Sequence, residues 1–209
     1  MKPDLSLYLV TDPALCGKRG ILATVEAAVK GGITAVQLRD KDAPACEISE
    51  LALALMEILK VHGIPLLIND RLDVALAVGA DGVHLGQSDL QVEAARKIAG
   101  PKFIIGLSVS QNEEITKAHS LPPDTVDYLG IGPIFNTSTK KDARVPLGLD
   151  ATAKLRSSTQ LPCIGIGGIN IENAGSAWST GLDGIAVVSA ICASDDPKSA
   201  AEALLSSRS

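Results

Sequence analysis

Aromatic side chains are nearly absent from this 209-residue chain: two Phe, two Tyr and one Trp make up 2% of it. A surface that stacks on nucleobases needs more of them. An excess of cations to track phosphates is missing too, since 19 Lys and Arg stand against 24 Asp and Glu for a net charge of −5. No nucleic-acid partner is expected. Long apolar runs are also lacking. The longest stretch without a charge, residues 157–171, has 15 residues and begins Ser157-Ser158-Thr159-Gln160, too short and too polar to cross a bilayer. No membrane partner is expected either. After Met1-Lys2-Pro3-Asp4 the chain enters Leu5-Ser6-Leu7-Tyr8-Leu9-Val10 without a basic segment, a long apolar core and a small-residue cleavage site, so a cytoplasmic location is the expectation. The four cysteines, Cys16, Cys46, Cys163 and Cys192, form no metal-binding cluster with histidine and read as buried free thiols.

What is present is an ordinary globular composition, 46% hydrophobic and 21% charged, in a length that suits one domain spanning residues 1–209. Short β-branched runs alternate with segments of helical apolar spacing. The spacing predicts strands at 5–11, 35–39, 65–69, 82–86, 103–108, 126–132, 163–167 and 184–189. It predicts helices at 21–30, 44–61, 71–78, 90–99, 111–119, 150–157, 171–179 and 197–205. Gly31-Gly32-Ile33-Thr34, Gly79-Ala80-Asp81-Gly82 and Gly181-Leu182-Asp183-Gly184 mark a weak internal repeat before strands. Eight βα units in a chain of this size predict an α/β fold, a (β/α)8 TIM barrel, rather than an open doubly wound sheet.

In such a barrel the chemistry collects at the C-terminal ends of the strands. Gln37 and Arg39 share one side of the second strand by its two-residue alternation, with Lys41 at the mouth, and a double cation suits a pyrophosphate. The same segment also reads as a self-paired charged turn. Asp70 and Asp89 end neighbouring strands, where two hard oxygen ligands suit magnesium. Both equally begin helices, and Ser88-Asp89-Leu90-Gln91 is a passable capping box. Gly165-Ile166-Gly167-Gly168-Ile169-Asn170, with Val188 and Ser189 closing the eighth strand, offers bare backbone N–H groups to a phosphate monoester. The loop from Pro133 through Asn136, Thr137, Ser138, Thr139, Lys140 and Lys141 joins hydroxyls and cations on a segment long enough to close over a ligand; taken alone it is a polar surface loop. His62 and His119 sit at helix ends, where a positive charge suits the dipole. His84 lies inside the fourth strand, facing lumen or helices, and a hydrogen-bonded packing role rather than a catalytic one is expected of it.

Together, Tyr8-Leu9-Val10-Thr11-Asp12, Gln37-Leu38-Arg39-Asp40-Lys41, Ile68-Asn69-Asp70-Arg71, the segment from Asp81 to Leu90, the segment from Gly132 to Lys140 and Gly165-Ile166-Gly167-Gly168-Ile169 closely resemble thiamine phosphate synthases, over about Leu5 to Ile191. The resemblance implies an enzyme that joins 4-amino-5-hydroxymethyl-2-methylpyrimidine diphosphate to a carboxylated thiazole phosphate, giving thiamine phosphate, pyrophosphate and carbon dioxide. It implies magnesium on Asp70 and Asp89, and pyrimidine diphosphate contacts from Gln37, Leu38, Arg39, Asp40, Lys41, Asn69, Ser108 and Lys140. Arg39, Lys41, Lys140 and Ser108 would carry catalysis. The thiazole phosphate would lie at Thr137, Ser138, Thr139, Gly168, Val188 and Ser189. The implied mechanism is dissociative, with no protein nucleophile.

Two segments depart from the commoner pattern: Asn136 stands where proline is frequent, and Ser108-Val109-Ser110-Gln111-Asn112 lacks the histidine and threonine that often follow that serine. A related thiazole tautomerase and a non-catalytic phosphate sensor are the rival readings on the same barrel. Phosphorylated small molecules are the expected partners, and a homo-oligomer is left open.

Overall fold

The structure is a computed structural model that describes residues 3–137 and 145–208. Eight strands, β1 (Leu7–Val10), β2 (Ala35–Leu38), β3 (Leu66–Asn69), β4 (Gly82–Leu85), β5 (Ile104–Val109), β6 (Tyr128–Ile131), β7 (Cys163–Ile166) and β8 (Gly184–Val187), pair in sequence order. All pairs are parallel, and β8 returns to β1 to close the barrel. Its helices are α1 (Pro13–Cys16), α2 (Gly20–Lys30), α3 (Ala45–Lys60), α4 (Leu72–Val78), α5 (Val92–Ala99), α6 (Asn112–His119), α7 (Gly148–Ser157), α8 (Ala174–Trp178), α9 (Ser189–Cys192) and α10 (Pro197–Ser206). The eight expected βα units are all found.

Two-residue alternation divides the core. In β1, Leu7 and Leu9 face the helices, while Tyr8 and Val10 face the lumen, where they meet Ala35, Leu67, Tyr128, Ile164 and Ala186. Helices close the outside through stripes such as Ile21, Thr24, Val25, Ala28 and Val29 of α2, at the spacing of one helical face. Cys16, Cys163 and Cys192 are buried as expected, but Cys46 is exposed. The buried positions of α3 are Ile48, Ala52, Leu55 and Leu59, and Cys46 falls off that stripe.

The bases of alternate strands share one device. The residue before an even-numbered strand accepts a hydrogen bond from an N–H at the start of the preceding strand, in its first or second residue. Thr34 Oγ1 takes Leu7 N at 3.1 Å, Asp81 takes Leu66 N at 2.9 Å, Asp127 takes Ile105 N at 2.7 Å and Asp183 takes Cys163 N at 2.7 Å. Leaving such an N–H buried and unpaired is costly. The weak repeat in the sequence is this device.

Most boundaries shift by a few residues from the sequence expectation, and three differences near the strand ends have a clear local form. Helix α1 precedes α2, started by Asp12, whose carboxylate accepts from Leu15 N at 3.0 Å with Pro13 in the first turn. Ser189, expected as the last residue of β8, instead opens α9. Residues 171–173 are not helical, because Asn170 Oδ1 takes the N–H groups of Glu172 and Asn173 in a side-chain turn, so α8 begins only at Ala174. No helix among the described residues is long and apolar enough to cross a membrane.

Candidate active site

At the C-terminal ends of the strands a cavity of about 440 Å³ opens, a size that suits a small organic ligand. Gln37, Arg39, Lys41, Asn69, Asp70, Asp89, Ser108, Thr137, Gly168, Val188 and Ser189 all line it. Sequence positions up to 152 apart (189 − 37) are thus brought to one mouth by the barrel. Leu38 and Asp40 are not among the lining side chains. Leu38 is 1% exposed in the layer under the helices, as alternation with Gln37 and Arg39 requires. Asp40 turns back onto its own loop, accepting from Asp42 N and Ala43 N at 3.1 Å each. Ser138, Thr139 and Lys140 lie outside the described residues.

One side of the cavity carries charge. Arg39 has its Nη1 3.9 Å from Asp12 Oδ2, a loose pair that leaves the guanidinium directed at the mouth, and its backbone N–H is held by Thr11 Oγ1 at 3.0 Å. Asp70 sits at φ 60°, in the left-handed region that Asp tolerates better than most residues. Its N–H donates to His84 O at 2.9 Å, which ties the end of β3 to β4. Asp89 folds back so that its Oδ2 accepts from Gly86 N at 2.7 Å. The capping reading of both carboxylates is thereby decided: α4 and α5 start at Arg71 and Gln91 caps, and neither receives a side-chain cap. Instead Asp70 and Asp89 meet. Burial first, then the hydrogen bond and charge of Asp89, push the Asp70 carboxyl up to about 6, against the pull of Lys41 and Asn69. Among the described residues no third His, Cys, Asp or Glu completes a metal-binding group with them.

The opposite side is bare backbone. Gly167 and Gly168 follow β7 with φ of 101° and 68°, a conformation side chains resist. A Cβ on Gly168 would run into Asn136 O and the Phe135 side chain. The two glycines therefore let the β6 loop approach, and Phe135 N donates to Gly167 O at 3.0 Å. Asn173 Nδ2 holds Gly168 O at 2.9 Å from the other direction.

On the floor, His84 makes the hydrogen bonds expected of it and joins Gln37 and Ser108 to two tyrosines; the sequence assigned no role to these tyrosines or to Glu114. His84 faces the lumen, with its ring nitrogens 2.8 Å from Tyr128 Oη and 2.8 Å from Ser108 Oγ. Tyr128 in turn bonds Tyr8 at 3.1 Å, and Tyr8 accepts from Gln37 Nε2 at 3.1 Å. Space for this group comes from glycine: a Cβ on Gly106 would overlap the Tyr128 hydroxyl and stand 2.6 Å from His84 Nδ1. Glycines in the middle of β5 and β6, Gly106 and Gly130, were the available signal, since glycine inside a strand marks close approach. Glu114, 8% exposed, also lines the cavity, and its Oε2 accepts from Ser110 N at 2.6 Å. Gln87 Nε2 donates to Ser108 O at 2.8 Å and steadies the end of β5.

Comparison with known proteins agrees with this geometry. The profile of a family described as thiamine monophosphate synthase matches residues 7–191. A thiamine-phosphate synthase of Azorhizobium caulinodans is 55% identical over 201 residues, covering 96% of this chain and 93% of the relative. Another, of Albidiferax ferrireducens, is 50% identical, covering 92% and 87%. The solved thiamine phosphate pyrophosphorylase of Pyrococcus furiosus superposes with a TM-score of 0.88 at 41% identity, covering 98% of this chain and 96% of that one. A 3-hexulose-6-phosphate synthase, at 16% identity and a TM-score of 0.66, shares the fold alone. With this barrel, this cavity and these relatives, the chain belongs to the thiamine monophosphate synthase family and is a transferase of thiamine biosynthesis.

Proposed function

We propose that the enzyme condenses 4-amino-5-hydroxymethyl-2-methylpyrimidine diphosphate with a carboxylated thiazole phosphate, releasing pyrophosphate and carbon dioxide. The observation that carries this reading is the two-sided cavity, with Arg39, Lys41 and the Asp70–Asp89 pair on one flank and the bare backbone of Gly168 and Val188–Ser189 on the other. A diphosphate suits the first and a phosphate monoester the second. In this reading Gln37, Asn69, Ser108 and Lys140 join Arg39 and Lys41 around the pyrimidine diphosphate. Thr137, Ser138 and Thr139 join the glycine side around the thiazole phosphate. Leu38 and Asp40 act only by holding their neighbours in place.

Magnesium fits the acidic pair. Two carboxylates pressed together, one of them with its proton affinity raised, are stabilised when a hard cation replaces that proton, and the remaining positions suit water and phosphate oxygens. Asp70 and Asp89 would hold it, and when bound it supplies neutralising charge to the diphosphate.

The protein's own task is then electrostatic. As the carbon–oxygen bond breaks, pyrophosphate leaves with the electron pair, and Arg39, Lys41 and Lys140 stabilise that charge. The aminopyrimidine ring shares the positive charge left on its methylene carbon, and the thiazole nitrogen closes the new carbon–nitrogen bond. The thiazole ring carboxylate then departs as carbon dioxide, and the electron pair it leaves on the ring carbon takes up a proton from water. No side chain needs to attack. Holding the two ligands on facing walls of one cavity makes the second step effectively unimolecular.

The test is to mix the protein with both substrates and magnesium and to measure thiamine phosphate as fluorescent thiochrome. Product that requires both substrates and disappears with chelator is expected; a folded protein that binds thiazole phosphate and makes no product contradicts the reading.

A further inference from the structure

We propose that the polar floor of the cavity is a hydrogen-bond chain with a single direction, from Gln37 through Tyr8, Tyr128 and His84, which fixes Ser108 as a proton donor to the substrate. The links are Gln37 Nε2 to Tyr8 Oη at 3.1 Å, Tyr8 Oη to Tyr128 Oη at 3.1 Å, Tyr128 Oη to His84 Nδ1 at 2.8 Å and His84 Nε2 to Ser108 Oγ at 2.8 Å. The first link alone has a direction fixed by chemistry, because an amide nitrogen can only donate. The others inherit it. The Tyr8 oxygen accepts from Gln37 and donates its one O–H to Tyr128, which donates its own to His84 Nδ1. A neutral imidazole that accepts at Nδ1 carries its proton on Nε2 and donates it to Ser108 Oγ. The Ser108 hydroxyl proton is left to point into the cavity that Ser108 lines.

The two tyrosines keep this direction reliable. Both are fully buried, and burial pushes their ionisation far above the ordinary phenol range, so each hydroxyl retains its proton. Neither lies on the cavity wall. Their role is therefore to transmit, and His84 is a positioning residue that acts through Ser108. At the other end, Gln37 lines the cavity with its nitrogen engaged by Tyr8, which leaves its carbonyl oxygen as the atom to meet a ligand. The floor thus presents an acceptor from β2 and a donor from β5, and the substrate atom that meets Ser108 must be a lone-pair acceptor, such as a ring nitrogen or a phosphate oxygen. This consequence for the substrate rests on the synthase reading; the direction of the chain does not.

Two measurements test it. In protein labelled with nitrogen-15 on its three histidines, the His84 ring is identified by its loss in His84→Gln. The expected state in the wild type, near neutral pH and without substrate, is a neutral ring with its proton on Nε2. In steady-state assays His84→Ala is expected to raise KM for the pyrimidine diphosphate about tenfold, the scale of one lost hydrogen bond, with KM for thiazole phosphate unchanged. His84→Gln should recover most of that loss, because its amide can accept from Tyr128 and donate to Ser108. A proton on Nδ1, a doubly protonated ring, or His84→Gln as impaired as His84→Ala overturns the proposal. If the wild type makes no thiamine phosphate, the synthase reading falls while the ring measurement still decides the direction of the chain.

Discussion

Carboxylates stand at both ends of this barrel, and they are in opposite situations. At the base, Asp81, Asp127 and Asp183 each accept an N–H from the first or second residue of a strand. Asp127 adds a 2.6 Å pair with Arg96, and Asp183 a 3.2 Å pair with Arg156. At the mouth, Asp70 and Asp89 face each other, and Asp70 holds its proton up to about 6. The basal carboxylates have their partners within the fold and complete it. In the upper pair, burial and the charge of Asp89 outweigh the pull of Lys41, so Asp70 holds its proton more tightly than an ordinary carboxyl. One residue type therefore contributes stability at one end and poised charge at the other, and the difference lies in which neighbours the strand register supplies.

The largest effect expected from breaking this contrast is at the mouth. Asp70→Asn should reduce thiamine phosphate formation by about a hundredfold or more at saturating magnesium, the size expected for the proposed magnesium losing a ligand, as measured by initial rates. The same variant should be more stable than the wild type when free of metal at pH 7.5, by about 1 kcal/mol after allowing for solvent screening. The sign follows from the raised carboxyl: in the folded state its charge is disfavoured, so above about 6 it costs stability. That cost fades as pH falls from about 6 toward the unfolded value of 3.8. Melting curves of the two proteins should accordingly converge near pH 4.

The reverse pattern is expected at the base. Asp127→Ala removes the acceptor of Ile105 N and the partner of Arg96, and should lower stability by about 3 kcal/mol in urea titration, with turnover of the remaining folded protein close to wild type. Thr34→Val keeps the shape but loses the acceptor for Leu7 N. It should cost about 1 kcal/mol and leave the rate unaltered. A base variant that stays stable and loses turnover would break the division between the two ends.

Much of this was legible in the sequence, for a physical reason. Strands buried on both faces read as continuous apolar runs, and the alternation that puts Gln37 and Arg39 on one side also sends Leu38 to the other. Helices α1 and α9 were not legible because four residues are too few to show a period. Asp70 and Asp89 have the local spacing of helix caps, and only the tertiary meeting of β3 and β4 separates that role from the one they take. The chain from Tyr8 to Tyr128 joins residues 120 apart in sequence, so no local pattern could reveal it, and only the strand glycines that make room for it hinted at its place.

The most direct test of the account is a carbon-13 titration of the Asp70 carboxyl, assigned by comparison with Asp70→Asn, with and without magnesium. The account predicts a midpoint near 6 in the metal-free protein, moving well below the ordinary carboxylate range when magnesium is added. A midpoint near 4 in the absence of metal, or one near 6 that magnesium does not move, would contradict it.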